Sequence, residues 1–295
     1  MSTLASFRPP LQVYYSADYA LARGLETVTK SRLLAELVAA GEAGPTKLLP
    51  PRLATEAELL SVHSPKYVED VLTGRTHSLE IGTWSPEALR SVLASTGGMR
   101  DAAFAALRLG RSGSFSSGLH HAKAAYGEGF CTINGLAVAA VAALEKVAKV
   151  GILDLDAHFG GGTAAILQHA KRVVLVDVSV NSYDRWQPLD KARHRVELVT
   201  DPGQYLATVE CVLPLLAGCD LILYNAGMDV HEHAGGLKGI TTEMVRERER
   251  LVVAYASAHR IPIAFALAGG YKWGGLTLKA VAHLHLETVQ AFAAA

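Results

Sequence analysis

Residues 150–170 read VGILDLDAHFGGGTAAILQHA. An apolar run leads into Asp154, Asp156 and His158, three side chains suited to metal binding at alternate positions, and three glycines follow before a helical stretch opens at Thr163. Strand, tight turn and helix in that order make up the repeating unit of a parallel sheet. The unit recurs downstream. RVVLVDVSV reads as a strand, YLATVECVLPLLAG as a helix interrupted by Pro214, DLILYNAG as a strand, TTEMVRERERLVVAYASAH as a helix, and PIAFALAGG as a strand before a last helix. Upstream, GLAVAAVAALEKVA reads as helix. Apolar runs without period-2 alternation, separated by helices, predict strands buried on both faces. The first third is expected to be mostly helical after a short strand near Val13 to Tyr15. Thr55 with Glu58 forms a capping box there, and Ser64-Pro65 and Ser85-Pro86 each place a cap before a proline at the first helical position. GEAGPTKLLPPRL, residues 41–53, reads as a surface loop. No repeat or low-complexity linker divides the chain, so a single α/β domain over residues 1–295 is expected.

Composition narrows the functional classes. Half of the 295 residues are hydrophobic and 19% are charged, as in a well-packed globular protein. Lysine and arginine number 28, as do aspartate and glutamate. That balance argues against binding nucleic acid or a membrane surface by bulk charge. Cys131, Cys211 and Cys219 are an odd set at spacings that match neither a disulfide framework nor a zinc knuckle. With no signal-peptide pattern in MSTLASFRPPLQVYY and no membrane-length apolar run, a cytoplasmic protein is expected.

In an open parallel sheet, ligands bind beyond the carboxyl ends of the strands. Asp154, Asp156 and His158 end one strand, Asp229 follows DLILYNAG, and Tyr271 follows the strand PIAFAL through Ala268-Gly269-Gly270. His120-His121, in the glycine- and serine-flanked loop SGSFSSGLHHAK, can fold over the same edge. Taken singly, each has a plainer explanation: an aspartate after a strand is usually a turn former or helix cap, and a histidine pair usually a loop feature. Their convergence favours a site. Asp156, His158 and Asp229 then form an Asp-His-Asp metal set with open positions, as in catalytic centres. Zinc suits it, with iron(II), manganese or cobalt as competitors because no thiolate selects among them. Asp154 would act one shell out. His231-Glu232-His233 lacks the helical spacing of a zincin and reads as loop, and Arg246 to Arg250 as the solvated face of a helix.

With these residues assembled, the chain resembles the histone deacetylase family, including bacterial histone-deacetylase-like and acetylpolyamine amidohydrolases. The resemblance rests on GLHHAKAAYGEGFCTING, ILDLDAHFGGGT, YNAGMDVHEHAGGL and LAGGYKWGG, in the family's order, and on ATEAELLSVHSPKYVEDV upstream; QVYYSADYALARGLE matches more weakly. It implies a three-layer, arginase/deacetylase-like α/β fold with a central, mainly parallel sheet flanked by helices. It also implies a zinc amidohydrolase acting on an acetylated small molecule or an acetyl-lysine peptide. Asp156, His158 and Asp229 would hold the metal, His120 and His121 would handle protons, Asp154 would orient His120, and Tyr271 would polarise the acyl carbonyl. Phe130 would line the acyl channel, and a potassium ion would sit by Asp154 and Ser179.

One position departs from the family pattern. Gly161 stands where an aspartate or asparagine usually orients the second histidine, so His121 is expected to lose a fixed tautomer and a neighbouring negative charge. Two readings follow: a deacylase with slowed or pH-shifted catalysis, and a metal-containing protein that binds acylated ligands without cleaving them. An arginase-like ureohydrolase, suggested by Asp156-Ala157-His158, is the weakest reading because it lacks a second aspartate-rich run.

Overall fold

The computed structural model describes residues 9–20, 26–75, 84–117 and 119–295; the opening residues 1–8 and part of the stretch 12–26 lie outside them. In chain order the described elements are β1 (Leu11–Tyr14), α1 (Glu26–Ala39), β2 (Thr46–Leu49), α2 (Glu56–Leu60), α3 (Pro65–Thr73), α4 (Pro86–Leu109) and β3 (Arg111–Ser117). There follow α5 (Gly135–Ala143), β4 (Val150–Asp154), α6 (Gly161–Leu167), β5 (Val173–Ser179), β6 (Arg195–Leu198) and α7 (Tyr205–Val212). The last are β7 (Leu221–Ala226), α8 (Thr242–Ala258), β8 (Ile263–Leu267) and α9 (Leu278–Ala294).

The strands form one sheet in the order β2-β1-β3-β8-β7-β4-β5-β6, and every neighbouring pair is parallel. Successive side chains alternate between faces, and the core divides accordingly. Leu153, Ile222, Ile263 and Phe265 join one buried cluster with Leu34, Val209, Val252 and Val289 from α1, α7, α8 and α9. Ile152, Leu223, Ala264 and Ala266 join the other with Val68, Met99, Leu136 and Leu167 from α3, α4, α5 and α6. The result is a three-layer α/β fold with helices on both faces. From β4 the chain moves outward to β5 and β6, then crosses back to place β7 on the other flank of β4. That reversal opens a crevice at the carboxyl ends of β4 and β7.

Local chemistry sets the helix starts. Thr55 and Glu58 form both halves of the capping box, and Ser64 and Ser85 cap α3 and α4 ahead of their prolines. Leu213 to Leu216 form a 3₁₀ turn after α7, so the expected break falls at Pro214. Three features differ from the sequence expectations. Residues 46–49 of the proline-rich stretch are an edge strand, β2, and Ser112 to Ser117 of the presumed histidine loop belong to β3. β3 is built mostly of serine and glycine, so it lacks the apolar run that marks a buried strand. Within the run Arg246 to Arg250, Arg248 and Glu249 are fully buried while Arg246 and Arg250 face solvent. Alternating charge concealed an inward-facing ion pair.

Candidate active site

The strand ends supply the first half of the site. β4 stops at Asp154, and the chain bends so that the three polar residues divide their tasks instead of sharing one face. Asp154 turns toward His120, whose Nδ1 donates to Asp154 Oδ2 at 2.8 Å, while Asp154 Oδ1 accepts from Asn225 Nδ2 at 2.8 Å and from the Asp156 backbone at 3.2 Å. Asp156 and His158 turn instead toward Asp229. One ligand atom from each of these three residues lies within 4.8 Å of the others. His158 Nδ1 is 3.2 Å from both Asp156 Oδ1 and Asp229 Oδ2. The carboxylates are fixed by backbone donors, Gly269 N to Asp156 Oδ2 at 2.9 Å and Ala157 N to Asp229 Oδ1 at 3.0 Å.

This donor set fits a divalent cation. Asp229 Oδ2 is buried and faces only His158 Nδ1, at 3.2 Å and out of line for a good hydrogen bond, a cost that a metal bond would remove. Burial alone would lower the His158 pKa, but the Asp156 and Asp229 carboxylates beside its Nδ1 push it up to about 11. The pocket therefore stabilises positive charge strongly. A Cβ on Gly269 would stand 1.9 Å from Asp229 Oδ2, so only glycine leaves room for the carboxylate.

Loops supply the second half. His120 and His121 are buried, with ring centroids 4.0 Å apart. Asn134 caps α5 through Oδ1, while its Nδ2 donates to the carbonyls of His120 and Ala122. His63 Nδ1 donates to the Lys123 carbonyl at 2.9 Å and its Nε2 accepts from Asn134 N at 3.1 Å. Burial of His120 by itself favours the neutral ring, but Asp154 and Asp156 outweigh it and raise its pKa to about 9. Burial and the neighbouring His120 lower that of His121 to about 4. His120, His121, Phe130, Asp156, His158 and Tyr271 all line one narrow cleft. Tyr271 is held by its backbone N–H to the Ala234 carbonyl, and its ring stacks on the exposed Trp273 at 4.1 Å. Four described residues other than glycine have positive φ, and three of them, Leu119, Phe130 and Asp184, belong to this half. Backbone strain of that kind persists where the surroundings over-determine it.

The chain matches the family model of the histone deacetylase domain over residues 25–287. It belongs to the histone deacetylase family. An uncharacterized protein of Picosynechococcus sp. is 32% identical over 243 residues, 78% of this chain and 81% of its own. Histone deacetylase 2 of Arabidopsis thaliana is 26% identical over 290 residues, covering 88% of this chain and 74% of its own. The crystal structure of acetylpolyamine aminohydrolase from Burkholderia pseudomallei superposes with a TM-score of 0.76 at 20% identity over 96% of this chain and 98% of its own, which establishes the shared fold.

Against that family background, the expectation that Gly161 leaves His121 without a partner is overturned. His121 Nδ1 lies 2.9 Å from Asp184 Oδ2, in the loop after β5, and Lys123 Nζ pairs with the other Asp184 oxygen. Sequence reasoning missed Asp184 because nothing in NSYDRW marks it. The three glycines are bare for separate reasons. A Cβ on Gly160 would press on Asp154 Oδ2 at 2.6 Å, one on Gly161 on Asp184, and one on Gly162 on the backbone of His120 and His121 at 2.3 to 2.5 Å. Asp177 was also missed. It pairs in register with Asp154 across β4 and β5, accepts from Ser179 Oγ, Gly160 N and Trp186 Nε1, and has its pKa raised to about 8 by burial and by Asp154. His231 and His233 lie apart from the metal cluster, with His231 Nε2 3.2 Å from Thr242 Oγ1.

Proposed function

We propose that the protein is a metal-dependent deacylase that hydrolyses the amide of an acetylated amine, such as an acetyl-lysine peptide or an acetylpolyamine. One observation carries the reading: Asp156 and His158 of a cation-ready cluster with Asp229, two histidines with carboxylate partners, and Tyr271 face the same narrow cleft. Asp156, His158 and Asp229 would hold zinc, with iron(II) as the competing ion. A divalent ion bound there supplies Lewis-acid polarisation of the amide carbonyl and makes a water acidic enough to attack it.

The chain's own residues do the rest. With its Nδ1–H given to Asp184, His121 keeps a lone pair at Nε2 that can take a proton from the attacking water. His120, oriented by Asp154, would share proton transfer to the leaving amine. The Tyr271 hydroxyl would donate to the developing oxyanion, and Phe130 would flank the acyl group at the mouth of the cleft. Asp154, Asp177 and Ser179 would hold a potassium ion that relieves repulsion between the two buried carboxylates. Asp184 answers the one observation that favoured a non-cleaving binder.

The test is acetate release from acetyl-lysine peptides and acetylpolyamines by protein loaded with zinc or iron(II). Turnover is expected, abolished by a chelator. Tyr271→Phe is expected to lower kcat about 100- to 1,000-fold with metal retained, the usual cost of losing an oxyanion donor. Full metal loading at this cluster without acetate release from any of these substrates would sink the deacylase reading.

A further inference from the structure

The two histidines of the site are adjacent in sequence, yet their carboxylates come from different places. Asp154, which partners His120, ends β4. Asp184 arrives from the loop after β5, sixty-three positions along the chain from His121. That loop is bound to the metal segment by backbone hydrogen bonds from Val180 N and Asn181 N to the Ala157 carbonyl and from Phe159 N to the Tyr183 carbonyl. Asn181 Oδ1 accepts from Tyr183 N at 2.9 Å and closes the turn. At its end Asp184 adopts φ +54°, a left-handed conformation that aspartate tolerates better than most residues.

Asp184 occupies the space of the side chain missing at position 161. A Cβ built on Gly161 would stand 2.2 Å from Asp184 Oδ1, 2.3 Å from its backbone carbonyl oxygen and 2.6 Å from Cγ. The backbone contact cannot be relieved by rotating a side chain, so a residue with a Cβ at 161 and this loop exclude each other. Lys123, two residues beyond His121, pairs with Asp184 Oδ1 and lies 3.5 Å from Glu128 Oε2. The imidazole, carboxylate and ammonium thus form a chain that starts and ends on the histidine loop.

We infer that Asp184 is the positioning residue for His121, a carboxylate supplied from the β5 loop in exchange for the one absent at Gly161, with Lys123 holding it in place. The inference deepens the deacylase reading and rests on it for its kinetic consequences. Because a carboxylate only accepts, Asp184 compels His121 to carry its proton on Nδ1. Its nearby charge also favours the imidazolium formed when His121 takes up a proton. The Asp184 carboxyl itself is held below its ordinary range: burial opposes this, but the hydrogen bonds from His121 and Lys123 outweigh it.

The experiment compares metal-loaded wild type with Asp184→Ala and the near-isosteric Asp184→Asn, using nitrogen-15 NMR of the histidine rings and steady-state kinetics with an acetyl-lysine peptide. In wild type, His121 is expected to show an exchange-protected, downfield Nδ1 proton. Asp184→Ala should abolish that signal and lower kcat by about 10- to 100-fold, with KM and bound metal unchanged, the range seen when an orienting partner of a functional imidazole is removed. Asp184→Asn should keep the signal through its amide oxygen and recover part of kcat. An unchanged His121 signal and kcat in Asp184→Ala would overturn the inference. The NMR readout needs no substrate. A wild type that releases no acetate but whose His121 proton depends on Asp184 would end the deacylase reading and leave the positioning role standing.

Discussion

The metal half and the proton-handling half of the cleft share walls but are built differently. Asp156, His158 and Asp229 stand just past β4 and β7, and backbone N–H groups just past β4 and β8 fix their carboxylates. His120 and His121 instead sit on an irregular loop held by side chains, Asn134 and His63 below and Asp184 beside. A sheet edge dictates where its last residues point, so the ligand geometry follows from the fold. A loop held by side chains can draw a needed group from elsewhere in the chain, and the Asp184 carboxylate is an instance.

That contrast makes the halves separable by mutation, and the largest effect should come from the metal half. Asp229→Ala is expected to lose the bound ion and all acetate release above background, read by elemental analysis and the acetate assay. Substitutions at His121 or Asp184 should leave metal stoichiometry intact. A His121→Ala protein that also came back metal-free would break the distinction.

Next in size is the support beneath the metal half. Arg248, fully buried on α8, donates to the carbonyls of Gly227 at 2.7 Å and Leu155 at 3.2 Å, and so ties the segments after β7 and β4 together. Its guanidinium is paired with Glu249, which also accepts from Tyr224 Oη at 2.9 Å. Arg248→Met would leave the Glu249 charge buried with only that phenol, and urea denaturation should show a loss of about 3 to 5 kcal/mol. A loss below about 1 kcal/mol would mean that the strand ends hold the ligands unaided.

The same division governs what could be read from sequence. The strands from β4 on, apart from β6, are mostly apolar runs, so their ends could be read from sequence, and the rule that ligands gather beyond those ends brought Asp156, His158, Asp229 and Tyr271 to one sheet edge. β2 and β3 escaped because one is a short edge strand in a proline-rich stretch and the other is buried through serine and glycine, which pack closely without hydrophobicity. Asp184 and Asp177 escaped for a different reason. Each acts through a contact between segments distant in sequence, and neither carries a local signature. Gly161 was noticed as a departure, but a missing side chain shows only that space is available. What fills it is a tertiary fact.

The smallest expected effect lies in the support of the loop half and appears as a pH dependence. His63 is buried between the Lys123 carbonyl and Asn134 N, and burial pushes its pKa down to about 4. A neutral ring serves both contacts, because Nε2 must accept while Nδ1 donates. In the unfolded chain the same imidazole titrates near its ordinary value of about 6.5. Between those two values the unfolded state holds the extra proton, so the stability owed to His63 is complete above about pH 6.5 and is lost as pH falls toward 4. The total is at most about 3.4 kcal/mol, the roughly 2.5-unit fall from 6.5 to about 4 at about 1.36 kcal/mol per unit. Urea denaturation of wild type and His63→Gln in chelator, at steps from pH 7 to 4, should show the wild type losing its advantage over that interval. Parallel curves would mean that His63 is not the group that makes the histidine loop acid-sensitive.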